Sequence, residues 1–308
     1  MASIIGRPAS TRQLRDRGFS QEQLRSLLRQ GDITRLRRGA YADSGPDTDD
    51  FAAALITHRQ LIMATVPLIV AGSCISHTSA AVLHDLPVPP RLGAVHVTRS
   101  RQSGQGRRTE DLHVHAAPLP DQDLCLVDGI VTTSVPRTVV DAARMLSLGR
   151  GIAMADAALR TASVTREDLI RVSVGLGKRV GMPRARTVIG MSDPRSESPG
   201  ESLSRVEFQL HGLPAPDLQR ELYDDSGTWV ARVDFIWDAY RLVGEFDGKI
   251  KYGRYLDPDL PVQEAIYREK LREDQVRELD YRVVRWTWAD IFSGAMVSRI
   301  RRAIDRTH

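Results

Sequence analysis

Two runs near the carboxyl terminus, residues 230–237 and 241–247, alternate apolar and polar side chains and are joined by Asp238-Ala239-Tyr240. That pattern demands a β-hairpin, because successive side chains of a strand point to opposite faces and the register decides which face each occupies. If Asp238 and Arg241 close the loop, Val233 pairs with Phe246, Phe235 with Gly244 and Trp237 with Leu242, all on an apolar face. The other face pairs Arg232 with Asp247, Asp234 with Glu245 and Ile236 with Val243. Directly opposed side chains stand about 4.5–5.5 Å apart at Cβ. Asp234 and Glu245 are therefore expected side by side, with Asp247 next along the same face.

Three carboxylates at that spacing repel one another unless a cation neutralises them. A hard divalent ion such as Mg²⁺, or the similar Mn²⁺, takes carboxylate oxygens and keeps several waters. Bound water becomes a better nucleophile, and the ion stabilises charge developing on a phosphate. Lys249, two residues beyond Asp247, can add a positive charge beside it. The competing reading is a plain acidic sheet surface. The strand formers Val233, Phe235, Val243 and Phe246 around the acids favour a central position in the sheet.

The stretch Arg232-Val233-Asp234-Phe235, followed by Gly244-Glu245-Phe246-Asp247-Gly248-Lys249, resembles the PD-(D/E)XK nuclease superfamily. More closely it resembles the endonuclease-like domains related to very-short-patch mismatch repair endonucleases. Lys251-Tyr252, Glu269-Lys270, Arg272-Glu273-Asp274 and residues 281–290 extend the likeness over about 199–304. The resemblance implies catalytic positions at Asp234, Glu245, Asp247 and Lys249, and metal ligation by Glu201, Asp234 and Glu245. It also implies DNA contact by Lys251, Lys270 and Arg272. Two departures bear on this. Val233 replaces the superfamily's proline, and Asp247 stands where its lysine is usual, so Lys249 or Lys251 has to supply that group. If neither reaches the site, the domain binds DNA without cutting it.

The opposite end of the chain is basic. Residues 1–42 hold nine arginines and no lysine against Asp16, Glu22 and Asp32, within a net charge of +4 for the whole chain. Ser10 or Thr11 can cap a short helix carrying Leu14, and Gly18 stops it. Ser20 begins a second helix with Leu24, Leu27 and Leu28 at helical spacing, and Gly31 ends it. Arg35-Leu36-Arg37-Arg38-Gly39 then reads as the turn of a hairpin between Ile33 and Tyr41. Two helices and a basic hairpin make a small winged helix-turn-helix, with Arg35, Arg37 and Arg38 on phosphates. The alternative is a protein-binding module with a solvated basic wing. The segment resembles the N-terminal domain of AbiEi-type antitoxins of type IV toxin–antitoxin systems, through residues 12–14, Gly31-Asp32-Ile33 and Leu36-Arg37-Arg38-Gly39-Ala40-Tyr41. That resemblance implies an autoregulatory DNA-binding module, with a cognate toxin or other protein as a further partner.

Between the two ends, residues 51–68 and 76–83 read as helices, and 95–98 and 112–115 as strands. Residues 129–138 run from strand into a helix with Pro136 in its first turn. The antitoxin likeness extends over about the first 175 residues. Metal ligation by the histidines is not expected, since no pair has i, i+4 spacing and the alternating His113 and His115 lack a clear third ligand. Ser134 reads as a helix cap rather than a nucleophile. Cys74 and Cys125 are far apart, which argues against a disulfide or a zinc site and fits a cytoplasmic protein. The apolar run 61–75 is short and carries Pro67 and Gly72, so no membrane partner is expected.

Residues 192–200 read as a linker. The expected architecture is α/β (α+β overall): a winged helix-turn-helix over 1–48, a mixed α/β domain over 49–192, and a restriction-endonuclease-like mixed sheet flanked by helices over 199–308. The function expected from this is Mg²⁺- or Mn²⁺-dependent hydrolysis of DNA, targeted or regulated by the N-terminal region. The alternatives are a non-catalytic DNA-binding regulator of antitoxin type, or a purely protein-binding member of a toxin pair.

Overall fold

The computed structural model describes residues 3–45, 51–100, 105–248 and 262–306, so Lys249 and Lys251 lie outside the described residues. The fold is mixed α/β, with three separate sheets. Contacts divide the chain into two compact units, residues 1–154 with 162–190 and residues 155–161 with 191–308.

The first unit opens with β1 (Ala9–Ser10), α1 (Thr11–Asp16), α2 (Gln21–Gln30), β2 (Ile33–Arg37) and β3 (Ala40–Asp43), the strands ordered β1-β3-β2. Local chemistry sets these bounds. Ser10 with Gln13, and Ser20 with Gln23, form reciprocal capping boxes, and Gly31 closes α2 in the left-handed conformation at φ 77. Leu14, Leu24, Ile33, Ile5 and Ala9 form the core beneath.

The unit continues through α3 (Phe51–Thr65), β4 (Ser73–Ile75), α4 (His77–Leu83), β5 (Val95–Arg99), β6 (Arg107–Arg108), β7 (Leu112–Ala116), β8 (Leu124–Val127), β9 (Ile130–Thr133) and α5 (Val135–Ala143). Helices α6 (Leu148–Arg160), α7 (Arg166–Leu176) and α8 (Met182–Met191) follow, with residues 155–160 of α6 and Met191 counted in the second unit. The strands form a six-stranded sheet ordered β6-β7-β5-β4-β9-β8, in which β5 with β7 and β4 with β9 run parallel. Ile62 of α3, Ile75, Val82, Val95 and Val97 pack in one cluster. Residues Phe51–Leu68 have the length and mean hydropathy, 1.2, of a membrane span. Within them Ile62 is fully buried in the cluster just described.

The second unit contains α9 (Pro199–Leu210), β10 (Asp217–Tyr223), β11 (Trp229–Trp237), β12 (Leu242–Phe246), α10 (Val262–Glu278), β13 (Arg282–Trp286), α11 (Trp288–Ser293) and α12 (Ala295–Asp305). Its sheet runs β10-β11-β12-β13, antiparallel until the last pair, which is parallel and connected through α10. Phe208, Phe235, Trp237, Leu242, Phe246, Trp286 and Ile300 form one buried cluster, and Val230, Ala231, Val233, Ile236, Val243 and Val276 another. The segment expected as a tether is held down: the Asp193 N–H donates to buried Asp156 at 2.7 Å, and Arg205 pairs with the same carboxylate at 2.8 Å. Burial pushes the Asp156 carboxyl up even with Arg205 beside it.

The hairpin register follows the expectation for Phe235 with Gly244, Ile236 with Val243 and Trp237 with Leu242. One face assignment is corrected. Val233 packs with Ile236 and Val243, not behind the acids with Phe235 and Phe246. The alternation changes phase at Asp234, and the neighbouring strand does the same between Leu218 and Leu222. Gln219, opposite Asp234, takes a left-handed φ of 53, which breaks the pleat at that rung.

Candidate nucleic-acid interface and carboxylate site

On the basic wing, Arg35 and Arg38 are exposed, whereas Arg37 is half-buried. The Arg37 guanidinium donates to the Ala64 carbonyl at 2.9 Å and to the Arg38 carbonyl at 3.2 Å. The expectation that all three arginines face solvent is therefore corrected. Arg37 ties the hairpin to the end of α3, and a side chain held that way is a structural strut. Two basic residues that the motif reading passed over join the exposed pair. Arg25 and Arg29 lie one turn apart on the exposed side of α2, a spacing that brings their side chains together. Asp43 anchors the other edge. Burial alone would raise its carboxyl, but the Ser3 hydroxyl and the N–H groups of Ile5, Ile4 and Gly6 donate to it and hold it below the usual carboxylate range.

In the second unit the acids are distributed in two groups. Glu201, in the first turn of α9 and 6% exposed, accepts from the Ser198 hydroxyl at 2.7 Å and from the Glu197 N–H at 2.8 Å. The Gln219 amide bridges Glu201 Oε2 at 2.9 Å and Asp234 Oδ1 at 3.3 Å. The second oxygen of Asp234 accepts the Phe246 N–H at 2.9 Å, so this carboxylate enters the gap where the β11–β12 ladder stops. Glu245 goes elsewhere. Arg272 of α10 donates to one of its oxygens at 2.8 Å and Arg285 of β13 to the other at 2.9 Å. Arg285 also reaches Glu273 at 2.9 Å.

The expected convergence of three carboxylates is thus corrected. Among the described residues, Glu201, Asp234, Glu245 and Asp247 form no group of three whose ligand atoms all lie within 4.8 Å of one another. The reason is electrostatic: two guanidinium groups neutralise Glu245, so it has no need to share a cation with Asp234. Arg272, expected on DNA, is one of those two. Asp247 is half-buried, and its N–H donates to the Trp286 carbonyl at 2.8 Å. Lys270 is exposed on α10. Close packing brings the helix to the sheet here: a Cβ on Gly200 would lie 2.0 Å from the Phe246 ring, so only glycine lets Glu201 approach.

The histidines also depart from expectation. His77, His96 and His115 place one ligand atom each within 4.8 Å of one another, and His113 lies tilted by 30° against His115 with 3.9 Å between centroids. Burial pushes His96 down to about 4 and His115 down to about 2, and holds His77 well below the ordinary imidazole value. Repulsion among the rings adds to the effect.

Residues 2–42 match the protein family described as "Transcriptional regulator, AbiEi antitoxin". Two relatives from Mycobacterium tuberculosis are each 29% identical over 291 residues, spanning 94% of this chain and 98% of their own length. They are "Uncharacterized protein MT2308" of strain CDC 1551 / Oshkosh and "Uncharacterized protein Rv2248" of strain ATCC 25618 / H37Rv. A solved structure, that of the RV2827C protein from Mycobacterium tuberculosis, is similar at a TM-score of 0.37 and 14% identity, over 71% of this chain and 84% of that one.

Proposed function

We propose that the chain is a DNA-binding transcriptional regulator of antitoxin type that contacts duplex through the wing and helix α2, with a cognate toxin as its protein partner. The observation that carries this reading is the exposed basic set Arg25, Arg29, Arg35 and Arg38 inside the segment similar to antitoxin regulators. Exposed basic side chains neutralise phosphates and release counterions, which gives binding a steep salt dependence. The test titrates duplex from the protein's own promoter region over a range of salt. Replacing Arg35 and Arg38 together by alanine removes two phosphate contacts and should lower the slope of log affinity against log salt by about 2. Unchanged affinity and slope would overturn the reading in favour of a protein-binding wing.

A second reading has its own supporting observation: the Gln219 amide lies between Glu201 and Asp234, the place a shared cation would take. In this reading the second unit is a DNA endonuclease. Glu201 and Asp234 would hold Mg²⁺ or Mn²⁺, which supplies activation of water and charge stabilisation at a phosphodiester. Glu245 would join only after Arg272 and Arg285 release it, and Lys270 lies exposed on the helix that carries Arg272. Asp234→Asn keeps the side-chain size and should abolish cleavage of plasmid DNA that the unmodified protein performs with either ion. Absence of any cleavage by the unmodified protein, with Mg²⁺ or Mn²⁺ and varied substrates, would sink this reading and leave the first intact.

A further inference from the structure

The six-stranded sheet of the first unit gathers imidazoles in a way that neither proposed function uses. β5 and β7 pair in parallel with His96 opposite His113 and Thr98 opposite His115. Period-two alternation then sets His96 and His115 on one face of neighbouring strands, with His113 in the same row. His77, the first residue of α4, is laid against them: its ring stacks on His115 at 3.8 Å and 18°, and lies 5.5 Å from His96. Its backbone is left-handed at φ 53, a conformation seldom kept by a residue other than glycine unless its surroundings impose it. His77 is 3% exposed and His96 and His115 are half-buried.

We propose that His77, His96 and His115 form a binding site for a zinc ion. His96 Nδ1 and His115 Nε2 are 2.9 Å apart, so between two neutral rings a single proton occupies the contact. Zinc would take the place of that proton, which moves to the other nitrogen of the ring that carried it, so that both rings ligate as neutral imidazoles. A tetrahedral site with metal–nitrogen bonds of about 2.0–2.1 Å sets its ligand nitrogens about 3.4 Å apart, within the 4.8 Å over which these three already converge. Binding requires the stacked His77 and His115 planes to splay so that both lone pairs point to one centre.

The surroundings supply, for His77, the outer hydrogen bond that a ligating histidine needs. His77 Nδ1 lies 3.0 Å from the Ser76 hydroxyl oxygen, which accepts from Thr98 at 2.8 Å. With Nδ1–H donating to Ser76, the His77 lone pair resides on Nε2. The His96 backbone N–H donates to the Ser79 hydroxyl, which also meets His58 Nε2 at 2.9 Å. An all-imidazole donor set selects zinc and its borderline neighbours over Mg²⁺ or Ca²⁺, and burial keeps the rings in the neutral form that ligates. Three protein ligands leave a fourth position for water or an anion. Arg137 and Arg144 bring positive charge toward His77, and Asp141, which acts on His115, offsets it.

The test uses the full chain without a polyhistidine tag, stripped by chelator and titrated with Zn²⁺ against a chromogenic chelator. One equivalent should bind per chain. His96→Ala and His115→Ala should each weaken binding by more than the roughly 10–100-fold that loss of an outer partner costs. His211→Ala, which removes an exposed histidine of the second unit, should leave it unchanged, so that loss of any one imidazole is not enough to weaken binding. X-ray absorption of the zinc-loaded unmodified protein needs no variant to fold, and should show three imidazoles on the metal. Fewer than three imidazoles, no zinc bound by the unmodified protein, or full binding by folded His96→Ala and His115→Ala would overturn the proposal.

Discussion

Acidification should unfold the first unit before the second, and His58, which stands apart from the cluster of His77, His96 and His115, gives one separable part of the magnitude. The ring is 3% exposed on α3, 2.9 Å from the Ser79 hydroxyl, and burial alone pushes it down to about 4. An ordinary imidazole titrates near 6.5, so between about 6.5 and 4 the unfolded chain holds a proton that the folded one refuses. Stability contributed by neutral His58 is complete above about 6.5 and is lost as pH falls through that window. At pH 5 the folded ring is about one-tenth protonated and the unfolded ring almost fully, a cost of about 2 kcal/mol relative to pH 7. That is a large part of the 5–15 kcal/mol that holds a domain together. The assay is urea unfolding at pH 7 and pH 5 in the presence of chelator, read by two probes. All four tryptophans lie at 229, 237, 286 and 288, within the second unit, so their fluorescence is blind to the first. Circular dichroism follows both. The dichroism midpoint should fall on acidification ahead of the fluorescence midpoint, and His58→Gln should remove about 2 kcal/mol of that dependence. An equal acid shift in His58→Gln and the unmodified protein would refute the reasoning.

Gly200→Ala should destabilise the second unit by about 1–3 kcal/mol, because the new methyl meets the Phe246 ring at 2.0 Å; tryptophan fluorescence during denaturation checks it. Arg137→Met leaves Asp123 and Asp141 buried without the guanidinium that pairs them at 3.0 and 2.6 Å. The expected loss is about 3 kcal/mol, the lower end for a broken buried pair, because Arg144 still reaches Asp141 at 2.9 Å and Arg171 reaches Asp123 at 3.6 Å; it is seen by dichroism with fluorescence unmoved. Arg37→Ala should lower the stability of the first unit through its lost bond to Ala64, while changing the salt slope of DNA binding by less than Arg35→Ala does. Gly244→Ala should resemble Gly200→Ala, since its Cβ would lie 2.6 Å from the Trp286 ring.

The features legible in the sequence are those governed by neighbours a few residues away. Ser10 with Gln13 and Ser20 with Gln23 specify helix starts by their own hydrogen bonds, and Gly31 specifies an end by its backbone freedom. The hairpin register at 235 with 244, 236 with 243 and 237 with 242 is equally local, set by a short loop and strict alternation. The faces near Asp234 were not legible, because the break in the pleat arises at Gln219 on another strand, whose amide answers to Glu201 on a helix. The partners of Glu245 come from positions 27 and 40 residues away. No reading of Glu245-Phe246-Asp247 alone could place them. The histidines show the same limit from the other side. Spacing along one strand showed only His113 with His115, whereas His96 joins His115 through a parallel strand pairing and His77 through a strained first turn.

These outcomes share one cause. Carboxylates approach each other only with a cation or a donor between them, and Gln219, Arg272 and Arg285 hold those positions around Asp234 and Glu245. Imidazoles held neutral by burial repel far less, so His77, His96 and His115 can converge on one another through a single shared proton and ring stacking. Alternation told which residues share a face in both places. Whether residues sharing a face also converge depended on their charge and on the cations the rest of the fold delivered. A search for metal chemistry along a strand should therefore weigh neutral donors ahead of acids wherever arginines line the adjoining strand and helix.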